Sequence, residues 1–281
     1  MDVRVHHDPS EYWALVRPLF AADPMRHTHG LSVIRRLVEA PDPGDEPPLL
    51  LSIWDRSELA GAVFRTAPWP VGVSALPGAA DQAAASTLLE VDPELPAVSG
   101  PREAAERFAG VWSALTGVTV KEVMALRLYR LGELAKPAVR GTARLGTQDD
   151  VSLMAGWRSA FEIEAVGRER QPGRAESDVR RSLALGNGMV LWEVDGHVVS
   201  YAAVGAPIDG MSRIGPVYTP PEYRGHGYGS AVTAAASQWA LDAGTEHVIL
   251  FTDLANPVSN SIYQRIGYRR VYDQTELEFG K

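Results

Sequence analysis

Apolar and polar positions alternate most legibly in the second half of the 281-residue chain. Val139 to Leu145 reads as a short strand closed by Gly146. Asp149 and Asp150 then cap a helix with Leu153, Met154, Trp157 and Phe161 at helical spacing, and acids in its first turn suit the helix dipole. A polar stretch over residues 168–174 separates it from a second helix, about Glu176 to Leu185. Met189 to Val194 and His197 to Val204 are apolar runs around Asp195-Gly196, a dipeptide that predicts a hairpin turn. Arg213 to Tyr218 is a further strand, followed by a glycine-rich loop and a helix over about Ser230 to Ala243. That helix has Val232, Ala235, Ala236, Trp239, Ala240 and Ala243 on one stripe, and Gly244 stops it. With the β-rich run His247 to Phe251 behind it, the segment is a parallel strand–helix–strand unit. Asn256-Pro257 opens one last helix that Gly267 closes, and Tyr268 to Phe279 alternates as a final strand.

The first half has a similar order with weaker punctuation. Asp2 to His6 predicts a strand, Pro9 to Leu19 and Leu31 to Val38 predict helices, and Leu49 to Trp54 with Glu58 to Arg65 predict a hairpin about Asp55-Arg56-Ser57. Displaced by 140 residues, this hairpin falls on the later one, with Leu51 on Leu191, Asp55 on Asp195 and Ala62 on Ala202, which suggests a duplication. Pro101 to Leu115 is a helix stopped near Gly117, and Val120 to Tyr129 a strand. A boundary near residues 132–137 then divides the chain into domains 1–135 and 136–281, each near the usual domain size. Proline-rich Pro41 to Pro48 reads as a surface loop.

Composition removes several classes of function. There is no cysteine, hence no disulfide framework, thiolate metal site or cysteine nucleophile. The seven histidines stand in no spacing that specifies a metal, so no metal is expected. The formal charge is −8, with −6 on residues 1–135 and −2 on residues 136–281. An acidic chain is a poor match for a nucleic acid, which is bound by neutralising many phosphates. With neither an apolar signal core near Met1 nor a run of about 18 apolar residues, no membrane association is expected, and a cytoplasmic protein is.

The chemistry concentrates in Arg224-Gly225-His226-Gly227-Tyr228-Gly229-Ser230, between a strand and a helix. Alternate glycines free successive amides to approach a ligand, and the helix N-terminus behind them carries partial positive charge. Together they predict an anion site suited to phosphate or pyrophosphate. A tight turn alone would not need glycines at all three places. A nucleotide-triphosphate loop would need a lysine, and a dinucleotide loop needs Gly-x-Gly-x-x-Gly, whereas the spacing here is Gly-x-Gly-x-Gly.

This stretch resembles the GNAT acyltransferase superfamily, whose Arg/Gln-x-x-Gly-x-Gly/Ala loop is met by Arg224, Gly227 and Gly229. The resemblance covers roughly residues 138–279 and includes Asn256, seven residues before Tyr263, then Gly267-Tyr268. It implies binding of acetyl-CoA as cosubstrate. Amides of Gly225, His226, Gly227, Tyr228, Gly229 and Ser230 would hold the pyrophosphate, with Arg224 heading the loop. The edge of Val217, Tyr218 and Thr219 would pair with the pantetheine arm like an added strand, and Asn256 would contact that arm. Tyr263 would protonate the departing thiolate, as a phenol with a pKa of about 10 can.

An amine acceptor must first lose a proton. The carboxylates placed to take it are Glu162 and Glu164 at the end of the helix that starts at Asp149, and Asp253 beyond Phe251. Residues two apart on a helix project about 200° from one another. At most one of the two glutamates therefore faces a cleft; Glu164 is the side chain singled out, with a water relay as the default. His226 reads as exposed filler of the phosphate loop.

The first half carries no such loop. After the strand Val71 to Leu76 it has Pro77-Gly78-Ala79-Ala80-Asp81-Gln82, and aligning the terminal glycines of the last helices sets Ser113 opposite Tyr263. The expectation is two α/β domains with mixed sheets in tandem, both GNAT-like, the first degenerate. Only the second would transfer an acetyl group, to a primary amine of a small molecule or peptide, in a monomer or homodimer. A non-catalytic acyl-CoA sensor is the alternative; an unrelated substrate or dimerisation domain is the alternative for the first half.

Overall fold

A computed structural model describes residues 1–167 and 173–280, so most of the polar break expected over residues 168–174 lies outside the described residues. The chain forms two compact units. The first comprises Met1–Leu128, Asp253–Ala255 and the residues from Tyr272 onward; the second comprises Tyr129–Thr252 and Asn256–Val271.

In chain order the elements are β1 (Asp2–His6), α1 (Pro9–Ala21), α2 (Thr28–Glu39), β2 (Leu49–Asp55), β3 (Glu58–Arg65), β4 (Val71–Ala75), α3 (Asp81–Val91), β5 (Ala97–Pro101), α4 (Arg102–Thr116) and β6 (Thr119–Leu131). There follow β7 (Thr142–Leu145), α5 (Val151–Val166), α6 (Arg174–Ala184), β8 (Gly188–Val194), β9 (His197–Val204), β10 (Met211–Tyr218), α7 (Tyr228–Asp242), β11 (His247–Asp253), α8 (Pro257–Arg265) and β12 (Tyr268–Gly280). The second ten repeat the order of the first ten. Helix α3 and strand β5 were absent from the pattern reading, although Ala84, Ala85 and Leu88 of α3 are buried at helical spacing.

In each unit three antiparallel pairings are followed by one parallel pairing: β1–β2–β3–β4 then β4–β5, and β7–β8–β9–β10 then β10–β11. Strand β5 takes residues Gln274–Glu278 of β12 as its antiparallel neighbour. This corrects the division at residue 135: the end of the chain completes the first unit, because a strand joins the sheet edge that pairs with it, whatever its place in the chain.

The hairpins correct the repeat. Arg56 (φ 57°) and Asp195 (φ 52°) are the left-handed first residues of the two turns, closed by Asp55↔Glu58 and Val194↔His197. The bulges after Ile53 and Trp192 correspond as well. These pairs stand 139 residues apart, so Leu51 corresponds to Val190 and Ala62 to Tyr201. Aligning Asp55 with Asp195 on identity slips the register by one, which would exchange the faces of both strands.

Period-two alternation fills the second unit. Val190, Ala202, Val204 and Ile214 face Val232, Ala236 and Ala240 of α7. Met189, Leu191, Tyr201 and Ala203 face Val151, Met154 and Ala155 of α5 and Val179 of α6. Helices thus cover both faces, as an α/β arrangement requires. Burying each such aliphatic side chain contributes about 1.5–3 kcal/mol before entropy is counted. Thr147 caps the turn before α5, not Asp149: its hydroxyl accepts from the Asp149 amide at 3.3 Å, and Asp150 bonds back to the Thr147 amide at 2.9 Å. Asp150 is also clamped by both ends of the Arg144 guanidinium at 2.7 and 2.8 Å. Among the described residues no helix is long and apolar enough to cross a membrane.

The first unit carries a pH dependence. His27 is buried, 5.5 Å from the Phe20 ring, with Nδ1 3.0 Å from Ser74 Oγ. Burial lowers its pKa to about 4; Asp23 opposes the shift and Arg26 adds to it. The unfolded chain therefore takes up this proton first as pH falls through about 6.5. Stability is full above that pH and declines down to about pH 4, by on the order of 3 kcal/mol. Urea unfolding at pH 7 and pH 4.5 should show this decline, and His27→Gln should flatten it. Equal pH slopes in the two proteins would refute the assignment.

Candidate active site

Strand β10 carries the opening. Between Ile214 and Val217 it bulges, since Ile214 pairs with Val204 of β9 but Val217 already pairs with Ala202. On its other side it pairs in parallel with β11 only over Met211–Ile214 with His247–Leu250, although β10 runs on to Tyr218 and β11 to Asp253. Beyond Ile214, β10 keeps its β9 neighbour and parts from β11. Among the described residues its outer half has no ladder partner on that side, the usual seat of an extended ligand.

At the end of that edge comes the glycine loop. Pro221–Tyr223 form a short 3-10 turn, Arg224 is extended, and Gly225 (φ 82°) and Gly227 (φ 81°) are both left-handed. Gly227 is the N-cap of α7 and supplies no capping side chain. The first intrahelical bond runs from the Ala231 amide to the Gly227 carbonyl, so the amides of Tyr228, Gly229 and Ser230 have no acceptor within the helix. Such amides, at the positive end of a helix dipole, fit a pyrophosphate. A Cβ on Gly227 would stand 3.0 Å from Val139 Cγ2, and one on Gly229 3.3 Å from Thr219 Oγ1. The cradle is therefore narrow as well as unpartnered.

Below the loop, Ser200 of β9 is buried and donates to the Tyr218 carbonyl at 3.1 Å, with its oxygen 2.8 Å from Thr219 Oγ1. Its place in the sequence reading was only that of a polar residue in an apolar strand, which is the signal that marks it. His226 is exposed, as expected; its Nδ1 lies 2.9 Å from the Arg224 carbonyl and its ring stacks on Tyr228 at 5.4 Å.

Arg224 braces the loop. Its Nε donates to the Thr219 carbonyl at 2.9 Å and its Nη2 to Glu164 Oε2 at 2.6 Å. The other Glu164 oxygen accepts from the Tyr218 hydroxyl at 2.8 Å. The Arg224 bond, with a smaller contribution from Tyr218, holds the Glu164 carboxyl below the usual range against the desolvation that raises it. Glu164 therefore does reach this site, where acting as a base would compete with its present bonds. Both oxygens are engaged by donors, and accepting a proton would cost one of those bonds. Glu162 is buried 3.6 Å from Arg158, and Asp253 accepts from the Ala255 amide.

Helix α8 brings the second set of groups. The Asn256 side chain accepts from the Ser259 amide at 3.0 Å and so is a helix cap first. Ile266 is buried, while Ser259, Ile262 and Tyr263 are half-buried. The Tyr263 ring meets Tyr268 edge-on at 6.2 Å, and Tyr268 is fixed by Ser237 at 2.8 Å. Burial alone pushes the Tyr263 phenol up to about 12, so it stays protonated across the neutral range. The helix is further held by Tyr129, whose hydroxyl donates to Asn260 Oδ1 and accepts from Gln264 Nε2, each at 3.0 Å. Nothing in the local pattern marks Tyr129, because its partners lie more than 130 residues away.

The corresponding region of the first unit is built differently. A Cβ on Gly100 of β5 would stand 3.0 Å from Val73 Cγ2 and 3.6 Å from the Ser74 amide. The β4–β5 ladder is itself short, pairing Val71 and Gly72 with Val98 and Ser99, and Gly100 lies against Val73 just beyond it. At the start of α3, buried Asp81 pairs with Arg107 at 2.6 Å, placing a carboxylate of the chain where a ligand anion would sit. Ser113, the counterpart of Tyr263, donates to the Val118 carbonyl at 2.7 Å.

Residues 154–268 match the family model described as Acetyltransferase (GNAT) family. Over 64 residues the chain is 39% identical to a protein of Arthrobacter sp. (strain FB24) named mycothiol acetyltransferase, covering 22% of this chain. The chain spans about a fifth of the length of the curated relatives it matches. Among solved structures, a GNAT-family acetyltransferase from Colwellia psychrerythraea has a TM-score of 0.64 at 11% identity and covers 100% of both chains. A tandem GNAT protein from the clavulanic acid biosynthesis pathway has a TM-score of 0.60 at 14% identity, covering 99% of this chain and 98% of its own.

Proposed function

We propose, from the premise that residues 154–268 place this chain in the GNAT acetyltransferase family, that its second unit transfers an acetyl group from acetyl-CoA to a primary amine of a small molecule or peptide. The observation that carries this reading is the parting of β10 from β11 beyond Ile214, next to a glycine loop with free helix-start amides.

The amides of Gly225 to Ser230 would bind the pyrophosphate, and Asn256 would meet the pantetheine arm. The exposed edge of Val217 to Thr219 would hold that arm extended and aim a backbone amide at the acetyl carbonyl oxygen. Acetyl-CoA supplies the activated thioester. Tyr263 would hold a proton on its hydroxyl for the sulfur that leaves. Glu164 being committed to Arg224 and Tyr218, the amine's proton would pass to water. The first unit, with its own carboxylate at Asp81 where a ligand anion would sit, would bind no CoA.

Two measurements test the reading. Titration calorimetry should detect one CoA per chain, and a thiol assay over a panel of amines should detect CoA release. No CoA binding would overturn it; binding without release for any amine would favour an acyl-CoA sensor.

A further inference from the structure

One contact of this site is not used directly by the acetyl-transfer chemistry. Glu164 lies on α5, one oxygen on the Tyr218 hydroxyl and the other on the Arg224 guanidinium. Tyr218 belongs to the open strand edge; Arg224 begins the glycine loop. The Arg224 guanidinium also lies 5.8 Å above the Tyr218 ring and bonds the Thr219 carbonyl, which closes the network. Trp157, about two turns back on the same face of α5, packs its ring 6.3 Å from that of Tyr218.

We propose that Glu164 is a positioning residue: its carboxylate ties helix α5 to both parts of the acetyl-CoA cradle, so that strand edge and glycine loop are set at one fixed separation. This rests on the proposed function. The side chains of Glu164 and Arg224 are 43% and 48% exposed, so the ion pair adds little to fold stability. Its effect falls on geometry instead, because a ligand held at both ends binds only when its two anchoring sites keep their spacing. The carboxylate adds an anchor on α5 to an Arg224 that otherwise rests on the Thr219 carbonyl and the Tyr218 ring alone.

Glu164→Gln replaces one acceptor by a donor that faces another donor, with little change of volume. It should raise the Kd and the acetyl-CoA KM about tenfold, as loss of one charge-assisted hydrogen bond does. At saturation kcat should stay within about threefold, and its pH profile should keep the wild-type limbs. In an Arg224→Gln background the same change should have little further effect on Kd, since Glu164 acts through Arg224.

Three results would overturn the inference. One is an unchanged Kd in Glu164→Gln when the wild-type protein binds CoA. Another is a large fall in kcat with loss of the acid limb, which would make Glu164 a base. The third is additivity of the two substitutions. A wild-type protein that binds no CoA would instead overturn the proposed function, and this inference with it.

Discussion

Tyr263→Phe is expected to lower kcat for acetyl transfer roughly a hundredfold while CoA affinity stays within about twofold, the range for loss of one general acid. The substitution removes one oxygen and keeps the ring that meets Tyr268 edge-on. Because burial pushes the phenol up to about 12, the wild-type group is protonated at every working pH. The rate should therefore show no basic limb from Tyr263 up to about pH 10. Steady-state kinetics with acetyl-CoA and an accepted amine, together with calorimetric CoA affinity, decide the matter. Equal losses of kcat and affinity would mean that Tyr263 packs beside the ligand and transfers no proton.

Gly227→Trp should reduce CoA affinity by more than about a hundredfold, because it meets two separate constraints. The residue is left-handed at φ 81°, where any side chain is strained, and its Cβ would press on Val139 at 3.0 Å. The bulk would also stand over the amides of Tyr228 to Ser230, which carry the proposed anion site. Gly225→Trp keeps the test answerable should the first variant fail to fold. A Cβ on Gly225 meets nothing within 4 Å, so only the left-handed strain at φ 82° acts on the fold. The first unit should be indifferent to both changes, which unfolding curves would register as an unaltered transition. Unchanged CoA affinity in folded samples of both proteins would refute the central assignment.

How far the site could be read depended on the range of the interactions that make it. The loop from Arg224 to Ser230 and the capping Asn256 are local: glycine spacing and cap chemistry act within a few residues, so their conformations follow from neighbours. Glu164 could be named as an acid near the cleft, but its partner Arg224 stands 60 residues away. Without that partner a solvated carboxylate and a clamped one look alike. Tyr129 was passed over for the same reason.

The repeat shows the same limit at the scale of a whole element. Two hairpins could be matched from apolar alternation, yet the identity of two aspartates placed the match one residue out. Only the positive φ of Arg56 and Asp195 fixed it at 139. Strand β12 was expected where the alternation puts it, but alternation says which faces are apolar and nothing about which strand lies beside it.

What the amino-acid sequence determined by itself is the order of the strands and helices other than α3 and β5, the alternate glycines of one loop, and that only one half carries them. Periodicity, turn chemistry and glycine spacing are all short-range. The tertiary structure alone decided that β10 leaves β11 after Ile214, that Arg107 holds Asp81 in the first unit, and that residues from Tyr272 onward complete that unit. It also brought the Glu164 carboxylate onto both Tyr218 and Arg224. Each of these depends on backbones or charges brought together from distant parts of the chain, where packing and pairing choose among partners that the local pattern leaves equivalent.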